Sequence, residues 1–191
     1  SIYTPVISCL VRDYDIVQVQ EDFNYHAALY DTCDNHLYRS STSGGMGIGS
    51  GLNQLSNFPY MDWERVTWTS RSGSDALTPK GFTMARTRIA EGVYIDFYNL
   101  HAQSETTDTA LANSRSDMLQ LIAYIEANSA NNAVIIMGDW NIRYTREGQN
   151  IRELLNRGFT DVWIQLMRNG IVPDFSTTAL TSCGTPTSGD C

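Results

Sequence analysis

The chain has 191 residues, 42% apolar and 18% charged, a balance that suits one globular domain (1–191) with a core that needs no staples. Thirteen Lys and Arg stand against 21 Asp and Glu, for a net charge of −8, which argues against a broad basic face for gripping a nucleic-acid backbone. No apolar run approaches the roughly 20 residues needed to cross a bilayer, and no leader peptide is visible at Ser1.

Thr4-Pro5 predicts a helix start, Thr as N-cap and Pro in the first turn, running to about Arg12 with Val6, Ile7, Leu10 and Val11 on its inner face. Asp13-Tyr14 breaks it, and Asp15 to Gln20 reads as a strand that ends at Glu21. Asp22 is then a candidate N-cap for a helix through Phe23, Ala27, Ala28 and Leu29. Ser40 to Gly51 is polar and Gly-rich, but no Gly-Lys-Ser/Thr and no long helix follow, so a loop is favoured over a phosphate cradle. Leu52 to Ser56 and Met61 to Thr69 read as strands split by Phe58-Pro59, with a second polar loop at Ser70 to Ser74. Lys80 to Ile89 reads as an antiparallel strand, Phe82 and Met84 inside against Thr83 and Ala85 outside. Glu91-Gly92 turns it into Val93 to Tyr98, which ends at Asn99-Leu100-His101.

Asp108 to Asn128 is the strongest helix, with Leu111, Met118, Leu121, Ile122 and Ile125 on one face. Ala133 to Met137, β-branched at Val134, Ile135 and Ile136, predicts a central strand buried on both faces. Two shorter helices follow near Asn150 to Asn156 and Asp161 to Arg168, and the chain is loop-like from Pro173 onward. Met61, Trp63 and Trp68 are expected in the core; the alternative is an exposed hairpin that touches a membrane surface. Strands joined by both hairpins and helices predict a mixed α/β sheet protein.

The four cysteines are Cys9, Cys33, Cys183 and Cys191. None forms a CxxC pair and none clusters with the three histidines, which argues against zinc. Cys183 and Cys191 bracket a polar loop that a disulfide can close, and Cys9 and Cys33 can make a second bridge. The even count, with abundant Asn, Ser and Thr, predicts a secreted protein; free buried thiols are the alternative.

Polar residues gather at the predicted strand ends. Asp139 and Asn141 follow the turn at Gly138 one residue apart, so on an extended tip they point the same way. Such an acid and amide suit a hydrated cation or a phosphate; an Asx turn is the plainer use. Glu21 at a strand end needs a partner for its lost hydration, and magnesium, usually held by one or two carboxylates, is one such partner. A helix N-terminus is the other. His101 is the one histidine at a strand terminus, where it can donate to phosphate oxygens or move protons. His26 and His36 are expected to be structural.

These segments together resemble the metal-dependent endonuclease/exonuclease/phosphatase superfamily, which includes pancreatic-type deoxyribonucleases and sphingomyelinases. Tyr14-Asp-Ile-Val-Gln-Val-Gln-Glu21 is similar to the segment whose last Glu binds metal. Gly51-Leu-Asn-Gln-Leu-Ser56 is similar to a Gly-x-x-x-Leu-Ser strand, and Lys80-Gly81 to the opening of the next. Tyr98-Asn-Leu-His101 resembles an Asn-x-His motif, and Met137-Gly-Asp-Trp-Asn141 a Gly-Asp-x-Asn motif. Five weak motifs in the right order make a specific pattern.

The resemblance implies a four-layer α/β sandwich of two mainly antiparallel sheets flanked by helices. It implies phosphoester hydrolysis with Mg²⁺ (or Mn²⁺ or Ca²⁺) as cofactor, on a small molecule, a lipid headgroup or a nucleic acid. Glu21 would hold the metal. His101 would bind the scissile phosphate and assist as general acid, Asp139 would orient or deprotonate the attacking water, and Asn141 would donate to the phosphate. Asn99 and Lys80 fall on the substrate side, Asn99 as a supporting residue. The family also opens with an Asn-bearing strand and closes with Ser-Asp-His, and this sequence has neither. The expectation is the interior of a longer protein, inactive or nearly so by itself. A non-catalytic binding or self-assembling descendant, joined through uncovered sheet edges, is the alternative.

Overall fold

In a computed structural model, which describes residues 2–45, 48–144 and 148–173, the strand-forming runs sort into two sheets. Helix α1 (Thr4–Val11) leads to β1 (Ile16–Val19), α2 (His26–Thr32), β2 (Tyr38–Arg39) and β3 (Asn53–Ser56). The chain continues through β4 (Tyr60–Thr67), β5 (Gly81–Ala90), β6 (Val93–His101), α3 (Asp108–Asn128) and β7 (Ala133–Asp139). One sheet has the order β1-β3-β2 and is antiparallel; the other has the order β4-β5-β6-β7, antiparallel except for the β6–β7 pair. Two sheets flanked by helices are the expected α/β sandwich. No helix among the described residues is long and apolar enough to cross a membrane.

The chain divides into two compact units, Ser1–Trp140 and Asn141–Cys191. The second contains α4 (Gly148–Leu155) and α5 (Val162–Met167). Asp161 caps α5 by accepting from the Ile164 N–H, and it also accepts from Tyr144 Oη at 2.6 Å. Tyr144 stacks on Trp163 with ring centroids 5.9 Å apart. Both short helices fall where the sequence predicts them. The Cys183–Cys191 loop lies outside the described residues.

The strands buried on both faces are β5 and β6. Gly81 to Ala85 and Asp96 to His101 are buried throughout, because α3 covers one face of the pair and the other sheet the opposite face. Phe82 and Tyr98 meet Tyr124 of α3 edge-on at 5.1 and 6.2 Å, while Asn99 reaches across to β1 and β3. The predicted alternation along β5, with Thr83 and Ala85 outside, is therefore corrected: both are buried. The prediction for Ala133 to Met137 is corrected as well. Among the described residues β7 pairs only with β6, in parallel, and Ile135 is 39% exposed.

Helix α1 turns a different face inward from the one predicted. Val6, Ile7 and Leu10 are exposed, and Ser8 is the fully buried residue. Ser8 Oγ donates to the Leu29 carbonyl at 2.6 Å and accepts from the Cys33 and Asp34 N–H groups, and Cys9 is disulfide-bonded to Cys33. One hydroxyl and one covalent bond thus orient the helix against its hydrophobicity. Asp22 does not cap α2, which starts from Tyr25; it is buried and accepts from Asn53 Nδ2 at 2.7 Å. Trp68 is in the core as expected, whereas Met61 is 48% exposed on the edge strand β4.

Candidate functional site

The parallel register sets His101 directly opposite Asp139, the last residues of β6 and β7. The Ala102 N–H donates to the Asp139 carbonyl at 2.9 Å, so the two strand tips are tied just beyond the pair. Gly138 makes this approach feasible. Its φ is 134°, and a side chain there would overlap the Leu100 carbonyl oxygen.

Glu21 arrives from the other sheet. Gln20 donates to Asn99 Oδ1 at 2.6 Å, and Asn99 Nδ2 donates to the Val19 and Asn53 carbonyls at 3.0 and 3.2 Å. Asn99 is fully buried and two residues before His101, so it faces the same way and stitches the end of β1 to β6. Glu21 itself has φ 59°, a conformation that non-glycine residues rarely adopt and one often found at functional sites. Gly51 backs that turn: its carbonyl accepts from the Asp22 N–H, and a Cβ on it would lie 3.0 Å from Glu21 Cα.

His101 Nε2 lies 3.9 Å from Glu21 Oε1 and 3.9 Å from Asp139 Oδ2. Both distances exceed a hydrogen bond, so two carboxylates and an imidazole face one another across a gap. The histidine is buried, 2% exposed, while the Glu21 and Asp139 side chains are 70% and 48% exposed. Solvent therefore reaches the acids, and the ring forms the floor. Burial depresses the His101 pKa most strongly, the Lys80 ammonium adds to the depression, and Asp139 and Glu21 oppose it. The net shift is downward, which leaves the imidazole neutral at pH 7.

Lys80 is buried with its Nζ 2.6 Å from Asp75 Oδ1 and 3.4 Å from the Ala102 carbonyl. Burial acts to raise the Asp75 carboxyl, but Lys80 and the N–H groups of Ser104 and Glu105 outweigh it and hold Asp75 below the usual range. Asn141 opens the second unit with φ 47°. The structure thus gathers Glu21, Asn99, His101 and Asp139, with Lys80 behind the histidine. His26 sits on α2, its Nδ1 3.6 Å from Asp22 Oδ1, and His36 is buried between Asp34 and the Tyr14 carbonyl.

Two carboxylates with free access to water suit a cation that retains much of its hydration. Among the described residues no group of three His, Cys, Asp or Glu side chains is arranged to hold a metal ion.

Sequence reasoning missed Asp75, Gln103 and Asp117. Gln103 follows His101 by two residues, and that spacing was the available signal. Asp117 lies on α3, 2% exposed, and accepts from Gln103 Nε2. Burial pushes its carboxyl up to about 7, and Asp75 adds to the rise. The folded protein therefore keeps a proton that the unfolded chain releases near pH 4, and stability falls as pH rises from about 4 to 7. Asp117→Asn, neutral at every pH, removes this contribution. Its denaturant midpoint changes less between pH 5 and pH 8 than that of the natural chain; equal changes would show that Asp117 titrates normally.

The profile described as Endonuclease/Exonuclease/phosphatase family 2 matches residues 6–177. Sphingomyelinases of Mycobacterium tuberculosis and Mycobacterium bovis are 32% identical over 185 residues, which is 93% of this chain and 37% of theirs. The chain thus spans little more than a third of the curated relatives it matches. Among solved structures, sphingomyelinase C from Streptomyces griseocarneus superposes with a TM-score of 0.69 at 22% identity, over 82% of this chain and 62% of that one. A beta toxin variant from Staphylococcus aureus with bound magnesium ions superposes with a TM-score of 0.71 at 19% identity, over 84% of this chain and 64% of that one.

Proposed function

The chain belongs to the endonuclease/exonuclease/phosphatase family, and from that premise we propose that it is part of a secreted, magnesium-dependent phosphodiesterase that acts on a lipid headgroup of the sphingomyelin type. The observation that carries the proposal is the meeting of Glu21, His101 and Asp139 around one gap, two 3.9 Å separations apart. The choice of substrate rests on the 32% identity to sphingomyelinases and on the net charge of −8, which disfavours nucleic acid. The Cys9–Cys33 disulfide supports an oxidising compartment.

Glu21 would hold the metal, which would supply positive charge to offset that on the phosphate and the leaving oxygen. Asp139 accepts the proton of the attacking water as its oxygen bonds to phosphorus and the ester P–O bond breaks, and the departing alkoxide takes up a proton from the solvent that reaches the exposed acids. His101, neutral at pH 7, keeps an N–H to donate from Nε2 to a non-bridging phosphate oxygen. That state supports phosphate binding over the alternative role of a charged general acid. Asn141 donates to the phosphate and positions the nucleophile. Lys80 adds positive potential from behind the ring, and Asn99 fixes the strand ends.

The test is hydrolysis by the complete protein of sphingomyelin vesicles, plasmid DNA and inositol phosphates. Phosphocholine release from the vesicles, abolished by EDTA and restored by Mg²⁺, is the expected result. Preferential nicking of DNA would reassign the substrate. Hydrolysis of none of the three would favour a non-catalytic binding protein.

A further inference from the structure

His101 has a buried Nδ1 without a hydrogen-bond partner. A histidine that orients itself through Nδ1 has its ring fixed by that bond; here no such bond is made, and the place of the buried ring depends on its packing and on where the backbone that carries it is held. The residues after it are held one by one. Trp68 Nε1 donates to the His101 carbonyl at 2.9 Å, the Ala102 N–H donates to Asp139 at 2.9 Å, and the Ser104 N–H donates to Asp75 Oδ2 at 2.8 Å. Between them, Gln103 Nε2 donates both to the Ser70 carbonyl at 2.9 Å and to Asp117 Oδ2. Gln103 and Asp117 are 3% and 2% exposed, and Gln103 Oε1 and Asp117 Oδ1 have no partner. Two such unsatisfied oxygens are costly to bury, so packing alone would favour apolar residues here.

We infer that Asp117 and Gln103 are a positioning pair that sets where His101 stands relative to Asp139. The geometry gives the reason. Asp117 belongs to α3, the helix that leaves the end of β6 and delivers β7. A bond from that helix back to Gln103 ties the tip of β6 to the element that places Asp139. The charged groups around the pair are Asp75 and, bonded to it, Lys80. Neither Asp117 nor Gln103 reaches the gap, so the pair acts through His101. The inference rests on the hydrolase reading for its kinetic signature but not for its structural one.

The test uses the complete protein with Mg²⁺ and bis(p-nitrophenyl) phosphate. Asp117→Leu and Gln103→Leu are expected to lower kcat by about 10-fold or more with KM changed less than about two-fold, the pattern of a lost transition-state alignment. The double variant is expected to be no worse than either single one, because the two side chains act as a unit. Asp117→Asn keeps a carbonyl to accept from Gln103 and is expected to restore kcat to within about three-fold. Full kcat in a folded Asp117→Leu protein, multiplied losses in the double variant, or a change confined to KM would overturn the inference. An activity-independent reading covers poor folding of the leucine variants and failure of the hydrolase proposal. In Gln103→Glu, which replaces the donated N–H by an acceptor, the His101 ring resonances at pH 7.5 should move, while those in a Leu119→Ala control on the exposed side of α3 should not. Unmoved His101 resonances in Gln103→Glu would sink the pair even if no phosphoester is ever hydrolysed.

Discussion

Asp139→Asn and His101→Ala each lower kcat/KM of the complete protein for a phosphodiester by about 10²–10⁴-fold, the range for loss of one positioned proton-transfer or donor group. The two losses arise differently. In the proposed mechanism, Asp139→Asn keeps the side-chain shape beside the ring and removes the group assigned to take a proton from water. His101→Ala removes the floor of the gap and the group assigned to donate to the phosphate, while the two acids stay in place. Steady-state assay with saturating Mg²⁺, alongside a thermal melt to confirm folding, checks both. Near-wild-type turnover in the two variants would take these residues out of the mechanism.

Gly138→Ala destabilises the fold by roughly 3 kcal/mol, the combined scale of a forced positive φ and an overpacked site. The residue pairs with Leu100 in the parallel ladder, one step before His101 meets Asp139. A methyl group there overlaps the Leu100 carbonyl oxygen, and the two strands can separate only by widening the gap that holds the reacting groups. Stability and activity are therefore lost together. Denaturant unfolding and the phosphodiesterase assay on the same samples check this; a variant as stable as the parent would show that β7 can shift at no cost.

Much of the fold was legible in the sequence, and the exceptions share a cause. The helix Asp108–Asn128, the β5–β6 hairpin and the strand end at His101 follow from periodicity and motif order and are present, whereas β1 stops at Val19, two residues before Glu21, and β7 continues through the expected turn at Gly138 to Asp139. The apolar run at Val134 to Ile136 predicts a central strand buried on both faces, yet among the described residues β7 pairs only with β6 and Ile135 is 39% exposed. Hydrophobicity along a strand reports burial by whatever covers it, not rank in the sheet. Conversely β6 contains Asp96, Asn99 and His101 and is the better buried strand: Arg86, Ser129 and Asn132 donate to Asp96, and Asn99 donates to carbonyls of the other sheet. The face of α1 was misjudged for the same kind of reason: a serine and a cysteine, not its aliphatic residues, anchor it. Asp117 was invisible because an acid on the long helix reads as a solvated position until the fold closes over it.

The route by which the chain assembles follows from the parallel pairing of β6 with β7. His101 and Asp139 belong to one strand–helix–strand unit, so collapse of a single supersecondary motif brings them into register early. Glu21 depends on an encounter across a much longer stretch, since Gln20 and Asn99 are 79 residues apart, and closing that loop carries the larger entropy cost. The pairing of His101 with Asp139 is thus a local product of folding, and Glu21 joins them only when the two layers dock.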